Sequence, residues 1–315
     1  MQYKMMPQRI LVIGGAGFIG SHTVELLLSG GKQVVVLDNL SSGRLDYLPM
    51  THPDLEFIEG DVLEYPFVLD LLKDVDAVLH LAAISSVQQS IEKPIYSFQV
   101  NTQGFLHVLC AIQEIKRAIR LVYASSAAVY GAVHSLPCRD DVPLNNPPLS
   151  PYALQKVQNE MYAELYANLY SLPSLALRYF NVYGPRQDAH SPYSGVMSRF
   201  LAAYQADQPL TIFGDGLQSR DFIHVHDVAR ANCLALEKSH VIGALNVATG
   251  EPKSLLDLIE YINDFGQKKA EVSFQPGRLG DIRASYASTQ KAKEQLEFKY
   301  QIPLQEGMKL MMQTP

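Results

Sequence analysis

The sequence has few cysteines and no dense block of lysine or arginine, and these absences exclude several classes of protein. Its three cysteines, Cys110, Cys138 and Cys233, are too few and too far apart for a disulfide framework. Neither a His-Glu-x-x-His nor a Cys-x-x-Cys motif occurs, so we expect no metal site. The net charge of −6 and the scattered basic residues argue against nucleic acid and anionic membranes as partners.

Long apolar runs are also absent, and none reaches the length of a transmembrane span. Because Met1 to Gln8 lacks the apolar stretch of a signal peptide, we expect a cytoplasmic protein with reduced thiols. At 315 residues with 47% hydrophobic content, the chain is long enough to bury a sizeable core. It predicts one large domain, or a main domain with a smaller lobe.

A glycine-rich turn near the N-terminus is the most informative motif. The four apolar residues from Ile10 to Ile13 predict a buried strand. The glycines that follow fit two overlapping spacings of a dinucleotide-binding turn, Gly15-x-Gly17-x-x-Gly20 and Gly14-x-x-Gly17-x-x-Gly20. They predict a sharp turn into a helix over Ser21 to Leu28, whose N-terminus would bind a pyrophosphate.

An acidic residue follows at the spacing expected for a ribose contact. A second predicted strand, Gln33 to Leu37, ends before Asp38, about 20 residues after the glycines. A carboxylate there accepts hydrogen bonds from both ribose hydroxyls and repels a 2′-phosphate. The sequence therefore predicts NAD rather than NADP.

Strand and helix patterns alternate through the first 180 residues. Further predicted strands are Leu55 to Ile58, Ala77 to Leu81 and Arg120 to Ala124, and a helix is predicted from about Pro94 to Ile115. The alternation predicts an α/β fold with a doubly wound parallel sheet of the Rossmann type. Ligands bind beyond the carboxyl ends of such strands, where Asp61, Ala82 and the Ser125-Ser126 pair lie.

A tyrosine and a lysine follow at helical spacing after a proline-rich loop. Tyr152 and Lys156 are four residues apart and therefore share one helix face. Taken alone, this spacing is common on solvated surface helices. Beside an NAD-binding turn it predicts a catalytic pair, because an adjacent ammonium favours the phenolate over a phenol with a pKa near 10.

With these residues in place, the chain resembles the extended short-chain dehydrogenases/reductases, and among them the NAD-dependent nucleotide-sugar epimerase/dehydratase family. The resemblance covers nearly the whole chain. Besides the glycine turn, the motifs that carry it are Asp38-Asn39-Leu40, Gly60-Asp61-Val62, Leu81-Ala82-Ala83, Asn101-Thr102, Ser125 to Gly131, Ser150 to Lys156, Arg178 to Gln187, Phe213 to Gly216, Arg220 to Val225, Asp227-Val228-Ala229 and Arg278-x-Gly280-Asp281.

The resemblance implies roles for individual residues. Tyr152 would remove a sugar hydroxyl proton, Lys156 would hold the nicotinamide ribose and lower the tyrosine pKa, and Ser126 would share and orient the proton. The implied NAD-binding residues, besides Tyr152 and Lys156, are Gly14, Gly17, Phe18, Ile19, Gly20, Asp38, Asn39, Asp61, Val62, Leu81, Ala82, Ala83 and Tyr179. Substrate contacts are implied for Asn181, Arg220 and Arg278 at the diphosphate and for Phe213 at the base.

The residues after Ser126 discriminate between reactions. Sugar-nucleotide 4,6-dehydratases of this family carry Asp-Glu there, whereas this chain has Ala127 and Ala128. Alanine cannot transfer a proton, so elimination of water is disfavoured. The remaining chemistry is oxidation and re-reduction at one carbon, which is NAD-dependent epimerisation at C4 through a 4-keto sugar.

The resemblance also indicates a substrate. Seven positions after Arg278, a bulky tyrosine in relatives restricts the pocket to UDP-glucose and UDP-galactose, whereas this chain has Ser285, with Tyr286 next to it. The stretch from Ser191 to Val196 resembles the broader-specificity branch. We therefore expect an isomerase closest to the UDP-glucose/UDP-N-acetylglucosamine 4-epimerases, acting on UDP-GlcNAc/UDP-GalNAc, with UDP-glucose/UDP-galactose as further candidates.

Other functions stay open, among them another nucleotide-sugar-modifying activity of the same family. A UDP-glucuronate 4-epimerase would share the catalytic set and need an extra cation, for which Arg186 and Arg283 are candidates. A non-catalytic NAD-binding regulator would lose Tyr152 or Lys156, and both are present.

We expect an NAD-binding domain over residues 1–180 plus about 220–247, with Arg220 to Val247 returning a strand and a helix to it. Residues 181–219 and 248–315 would form the nucleotide-sugar lobe. The resemblance implies a homodimer through the helices near 94–115 and 151–170. Met161, Leu165 and Leu169 fit either that interface or the core.

Overall fold

The computed structural model describes residues 7–132, 135–188, 195–277 and 282–313. The strands are β1 Arg9–Ile13, β2 Gln33–Asp38, β3 Leu55–Glu59, β4 Ala77–His80, β5 Arg120–Ser126, β6 Ser174–Tyr179, β7 Asn181–Tyr183, β8 Leu210–Phe213, β9 Ser219–His224, β10 Gly243–Val247, β11 Pro252–Ser254, β12 Val272–Gln275 and β13 Ala284–Ser285. The α-helices are α1 Phe18–Ser29, α2 Tyr65–Leu72, α3 Val87–Glu92, α4 Pro94–Phe98, α5 Gly104–Ile115, α6 Pro151–Tyr170, α7 Val196–Gln205, α8 Val225–Glu237, α9 Leu255–Phe265, α10 Gln290–Gln295 and α11 Leu304–Gln313. Within the described ranges, none of them has the length and apolar character needed to span a bilayer.

A seven-stranded parallel sheet forms the centre of the molecule, in the order β3-β2-β1-β4-β5-β6-β10. The strand order reverses between β1 and β4, and the carboxyl ends of strands at such a point form a crevice for ligands. The predicted doubly wound sheet is confirmed.

Helices cover both faces of this sheet, which explains the unbroken apolar run of β1. Ile10 and Val12 pack into one core cluster with residues of α1, α8 and α10. Leu11 and Ile13 point to the other face and pack with residues of α2, α5 and α6. A strand buried on both faces needs apolar residues at every position rather than at alternate ones.

A smaller region lies beside the main sheet. Strand β9 pairs with β7, β11 and β13, and β8 pairs with β12. Apolar residues of α7, α9 and α11 form a separate cluster with Tyr183 and Phe222. This cluster holds the second group of strands together.

Several element boundaries differ from those predicted. Helix α1 begins at Phe18, three residues before the predicted Ser21, because the turn passes directly into the helix at Gly17. Strand β4 ends one residue earlier than predicted, at His80. The predicted helix from Pro94 to Ile115 contains a π-helical segment at Gln99–Gln103.

The packing also bears on the expected lobes. Helix α8 and strand β10 join the main domain, but β9, which contains Arg220, belongs to the smaller sheet. Conversely, Ala292, Leu296 and Phe298 pack in the main core although they follow residue 248. The exact division into two lobes stays a prediction.

Candidate active site

Three side chains meet where β5 ends against the start of α6. Ser126 is the last residue of β5, and Tyr152 and Lys156 lie in the first two turns of α6. Ser150 caps this helix by accepting a hydrogen bond from the Ala153 amide, and Pro151 occupies its first position, so the helix begins at a fixed point. Ser126 is close enough to Tyr152 for hydrogen bonding between their hydroxyls to affect the pKa of the tyrosine.

Lys156 is buried beside the tyrosine. Its Nζ donates to the Ala124 carbonyl at 2.9 Å and lies 5.8 Å from the centre of the Tyr152 ring. Burial lowers the pKa of Lys156 to about 8, and the carboxylate of Glu160 raises it. The ammonium therefore lies close to its point of titration at neutral pH.

Without a bound cofactor, Tyr152 is a neutral phenol and therefore not a base. Burial raises the pKa of Tyr152 above its usual value, and the hydrogen bond with Ser126 lowers it. A phenolate would require further positive charge at the site, and the nicotinamide ring of NAD carries such a charge.

The glycine turn packs closely against the segment after β4 because side chains are missing there. Gly14 adopts a φ of +83°, and a Cβ on it would lie 2.6 Å from the Ala82 amide nitrogen. The segment after β4 is held against the turn, since the Leu81 and Ala82 amides both donate to the Ile13 carbonyl. The turn and the Leu81-Ala82-Ala83 segment thus lie side by side, as a pyrophosphate site requires.

A substitution at Gly20 tests whether the turn needs this close approach of backbone atoms. A Cβ there would lie 2.2 Å from the Gly14 carbonyl oxygen and 2.7 Å from the Gly15 Cα. Because both atoms are backbone, we expect Gly20→Ala to destabilise the protein by about 1–3 kcal/mol and to weaken NAD binding. Denaturant unfolding and calorimetric titration with NAD measure the two effects. Gly195→Ala is the control, since among the described residues its Cβ would meet the Gln187 side chain alone, at 3.4 Å. Equal losses in both variants would contradict the argument.

Asp38 is positioned by backbone amides. Its Oδ2 accepts from the Ala16 amide and its Oδ1 from the Leu40 amide, both at 2.9 Å. Each carboxylate oxygen can accept a second hydrogen bond, so both could receive a ribose hydroxyl. Burial raises the pKa of Asp38, and the two amide bonds lower it.

The neighbouring residues predicted to bind adenosine differ in the atoms that remain available for it. Asn39 donates to Asp61 at 2.8 Å, so these two side chains are already paired at the edge of the sheet. Val62 instead packs its side chain into the core against Gly104. Only the backbone of Val62 remains for adenine. Phe18 and Ile19 are partly buried at the start of α1.

The structure directs the side chain of Tyr179 away from the other site residues. Its hydroxyl donates to Asn232 of α8 at 2.6 Å, and its ring lies in the main core. Its backbone is paired with Ser126 at the end of the sheet. Only that backbone is placed to border a nicotinamide.

Three of the predicted substrate residues lie on adjoining strands of the smaller sheet. Ser285 pairs with Arg220, and Asn181 pairs with Phe222 two residues further along β9. This register puts Asn181, Arg220 and Ser285 on one face. Phe213 ends β8, partly buried. Arg278 lies outside the described residues, as do residues 191–194.

The register also separates Ser285 from Tyr286. Ser285, the last residue of β13, shares the face of Arg220, and continued alternation would turn the next residue, Tyr286, to the other side. The Tyr286 carbonyl accepts from the Cys138 amide at 2.8 Å, which ties this segment to the loop after β5.

Two buried charges behind the site were missed by our sequence analysis. Glu160 lies one turn after Lys156 on α6, and it forms an ion pair with Arg178 of β6 at 2.6 Å. The four-residue spacing from Lys156 was a visible signal for Glu160. Nothing local to Arg178 indicated its partner.

Comparison with known proteins agrees with this geometry. The sequence profile of the NAD dependent epimerase/dehydratase family matches residues 10–248. A UDP-glucose 4-epimerase from Mycolicibacterium smegmatis is 37% identical over 95% of this chain and 96% of that protein. A UDP-glucuronate 4-epimerase from Thermodesulfobacterium geofontis is 33% identical over 95% and 93%, respectively.

Solved structures are similar over the whole described fold. A UDP-N-acetylglucosamine 4-epimerase from Methanobrevibacter ruminantium M1, in complex with UDP-N-acetylmuramic acid, has a TM-score of 0.91 and 37% identity, with 97% of each chain covered. A UDP-glucose 4-epimerase from Thermotoga maritima with UDP-glucose has a TM-score of 0.90 and 35% identity, with the same coverage. The predicted family and cofactor are confirmed: the chain belongs to the NAD-dependent epimerase/dehydratase family.

Proposed function

We propose that this protein is an NAD-dependent UDP-sugar 4-epimerase. The observation that carries the proposal is the arrangement of Ser126, Tyr152 and Lys156 at the carboxyl edge of the main sheet. The two similar solved structures, both of 4-epimerases, support it. A non-catalytic regulator is disfavoured, because such a protein has no need of a tyrosine and a lysine buried together at this edge.

The chain's own residues supply the proton transfers. NAD, held by the glycine turn and Asp38, would supply the hydride transfer from the sugar carbon and back to its opposite face. Tyr152, as the phenolate, takes the proton of the C4 hydroxyl and gives it back at the end. Ser126 orients that hydroxyl, and Lys156 keeps the positive charge that favours the phenolate.

Dehydration is disfavoured by the turn after Ser126. Ala127 and Ala128 begin the short 3₁₀-helix there, and the Ala128 amide donates to Ser126 Oγ. Neither side chain can act as the acid or base that elimination of water requires.

For the sugar, we infer an N-acetylated hexose. Ser285 leaves space where a tyrosine would fill the pocket, and its pairing with Arg220 supports its place on the substrate face. Asn181 and Arg220 on the same face suit a UDP diphosphate, since a guanidinium donates two parallel hydrogen bonds.

UDP-glucuronate is the second candidate, because one relative is a UDP-glucuronate 4-epimerase. Both arginines considered for its carboxylate are already paired. Arg186 binds Glu25 at 2.5 Å, and Arg283 binds Asp215 at 2.7 Å. This pairing favours a neutral sugar.

Proton NMR of the purified protein with separate UDP-sugars tests the proposal. We expect UDP-GlcNAc to give its galacto epimer without added reductant. Conversion of UDP-glucose alone would keep the reaction and overturn the N-acetyl substrate. Conversion of UDP-glucuronate alone would establish the second candidate, and no conversion of any of the three would contradict the function.

We also propose that the protein is a homodimer. Met161, Leu165 and Leu169 on α6 are 64%, 46% and 62% exposed, so the alternative that they belong to the core is wrong. Helices α3 and α4, which pack against α6, also carry exposed apolar residues, among them Ile91, Ile95 and Phe98. An apolar surface of this kind is typical of a subunit interface.

The dimer is tested with Met161→Glu. A carboxylate in the centre of an apolar interface is desolvated without a partner, so we expect dimerisation to weaken by about 100-fold or more. Sedimentation analysis over a range of concentrations measures it. Ile242→Glu, at an exposed apolar residue before β10, should leave the mass unchanged. The interface would be contradicted if the wild-type protein were monomeric. It would also be contradicted if Met161→Glu dimerised as strongly as a dimeric wild type.

A further inference from the structure

A buried ion pair lies directly behind the catalytic lysine. The side chains of Glu160 and Arg178 are only 12% and 6% exposed. Arg178 binds the carboxylate with two nitrogens, at 3.0 Å through Nε and 2.6 Å through Nη2. Ser125, the neighbour of Ser126 on β5, donates to the same carboxylate at 2.5 Å. Glu160 is therefore held by β5 and β6 while it sits on the catalytic helix.

In this arrangement Lys156 does not donate a hydrogen bond to the Glu160 carboxylate. Glu160 and Lys156 are one helical turn apart, close enough for their charges to interact. Nevertheless, the bonds made by the carboxylate in the described structure go to Arg178 and Ser125, and Nζ of Lys156 donates to Ala124. The Glu160 carboxylate thus acts on the Lys156 ammonium through its electric field, without a direct hydrogen bond to it.

We propose that Glu160 is a positioning residue that keeps Lys156 protonated in its buried site, and that Arg178 and Ser125 hold the carboxylate at the distance this requires. The inference rests on the proposed function, because Lys156 matters only if Tyr152 reacts as a phenolate. In the described structure, the hydrogen bonds of Glu160 go to Ser125 and Arg178 and not to Tyr152 or the glycine turn.

Among the titratable groups that the structure describes near Lys156, Glu160 is the one that carries a buried negative charge. The titratable and charged side chains next to it are, by element, His80 of β4, Tyr123 of β5, Tyr130 after β5, Tyr152 and Glu164 of α6, and Arg178 of β6. Burial, with a smaller effect of Lys156, lowers the pKa of His80 to about 3, so His80 is neutral. Burial raises the pKa of Tyr123 and of Tyr130. Because Glu164 is exposed, Glu160 is the buried anion of this set.

The pH profile of turnover tests the proposal. Glu160→Gln removes the charge and keeps the shape. Lys156 must be protonated to work, so a lower pKa of Lys156 means that turnover is lost at lower pH on the alkaline side. We expect this limb to move down by about 1 pH unit. Glu164→Gln makes the same change one turn further along the helix, on its exposed side, and should leave the limb in place.

A structural role would give a different result. If Glu160 only holds the fold together, Glu160→Gln lowers stability and leaves the alkaline limb unchanged in the folded enzyme. The single variant leaves Arg178 buried without its partner and risks misfolding. Glu160→Gln combined with Arg178→Met removes both charges, and we expect a smaller shift in the same direction because, of the two, Glu160 is the charge that raises the pKa of Lys156. An unshifted limb in whichever variant folds overturns the proposal.

A second readout needs no sugar and separates this inference from the proposed function. The ultraviolet absorbance of tyrosinate is followed against pH in the NAD-loaded protein, and the same titration of Tyr152→Phe is subtracted to isolate Tyr152. We expect Tyr152 to ionise at higher pH in Glu160→Gln, because a neutral Lys156 no longer stabilises the phenolate. Identical titrations of wild type and Glu160→Gln would overturn the inference even if UDP-sugars are epimerised. A shifted titration would support it even if none of the tested sugars reacts.

Discussion

Replacing Tyr152 with phenylalanine should reduce turnover of the UDP-sugar by about 10³-fold or more while leaving NAD bound. The substitution removes one oxygen atom and keeps the ring, which fills a buried position at the start of α6. Without the hydroxyl, the proposed acceptor of the C4 proton is missing when the hydride leaves. Turnover is measured by NMR, and bound NAD by its release from denatured protein.

The matched control is Tyr162→Phe, the same change on the same helix. Tyr162 is partly exposed and lies more than two turns beyond Tyr152, so we expect its loss to leave turnover within about twofold of wild type. If Tyr152→Phe retained activity close to that of wild type, the proton would have to go elsewhere. Ser126 is the nearest alternative acceptor, and Ser126→Ala would then become the variant to measure.

The fold, and the meeting of Ser126, Tyr152 and Lys156 in the candidate site, could be predicted because their signals are local in sequence. The glycine turn, Asp38 after β2, and the Tyr152–Lys156 spacing each depend on fewer than 30 consecutive residues. The steric reason for the glycines is visible only in the structure, where a Cβ on Gly14 or Gly20 would meet backbone atoms.

What the sequence did not indicate depends on pairs of distant residues. Arg178 meets Glu160 because β6 lies beside β5 beneath α6, and no local pattern carries that information. The hydroxyl of Tyr179 donates to Asn232, 53 positions away, so the side chain of Tyr179 is not available for the predicted contact with the nicotinamide. Similarly, Ala292 and Leu296 return to the main core only because β10 is the edge strand of the sheet.

The sugar pocket gives the second large effect, which we expect from Ser285→Tyr. A phenol ring at this position would occupy the space that the N-acetyl group needs. Turnover of UDP-GlcNAc should fall by about 100-fold or more, while turnover of UDP-glucose should stay within about tenfold of wild type. The ratio of kcat/KM for the two sugars is the quantity to compare, because it cancels any loss of folded protein.

The neighbouring residue provides the control and decides the register. Tyr286 directly follows β13, and continued alternation of side chains would turn it away from the face that Ser285 shares with Arg220, so we expect Tyr286→Ser to leave the ratio unchanged. If Tyr286→Ser instead raised the preference for UDP-GlcNAc, Tyr286 would be the residue that limits the pocket. A Ser285→Tyr variant with an unaltered ratio would mean that neither position faces the N-acetyl group. In that case selectivity would have to come from another part of the lobe, and the argument from the pairing of Ser285 with Arg220 would fail.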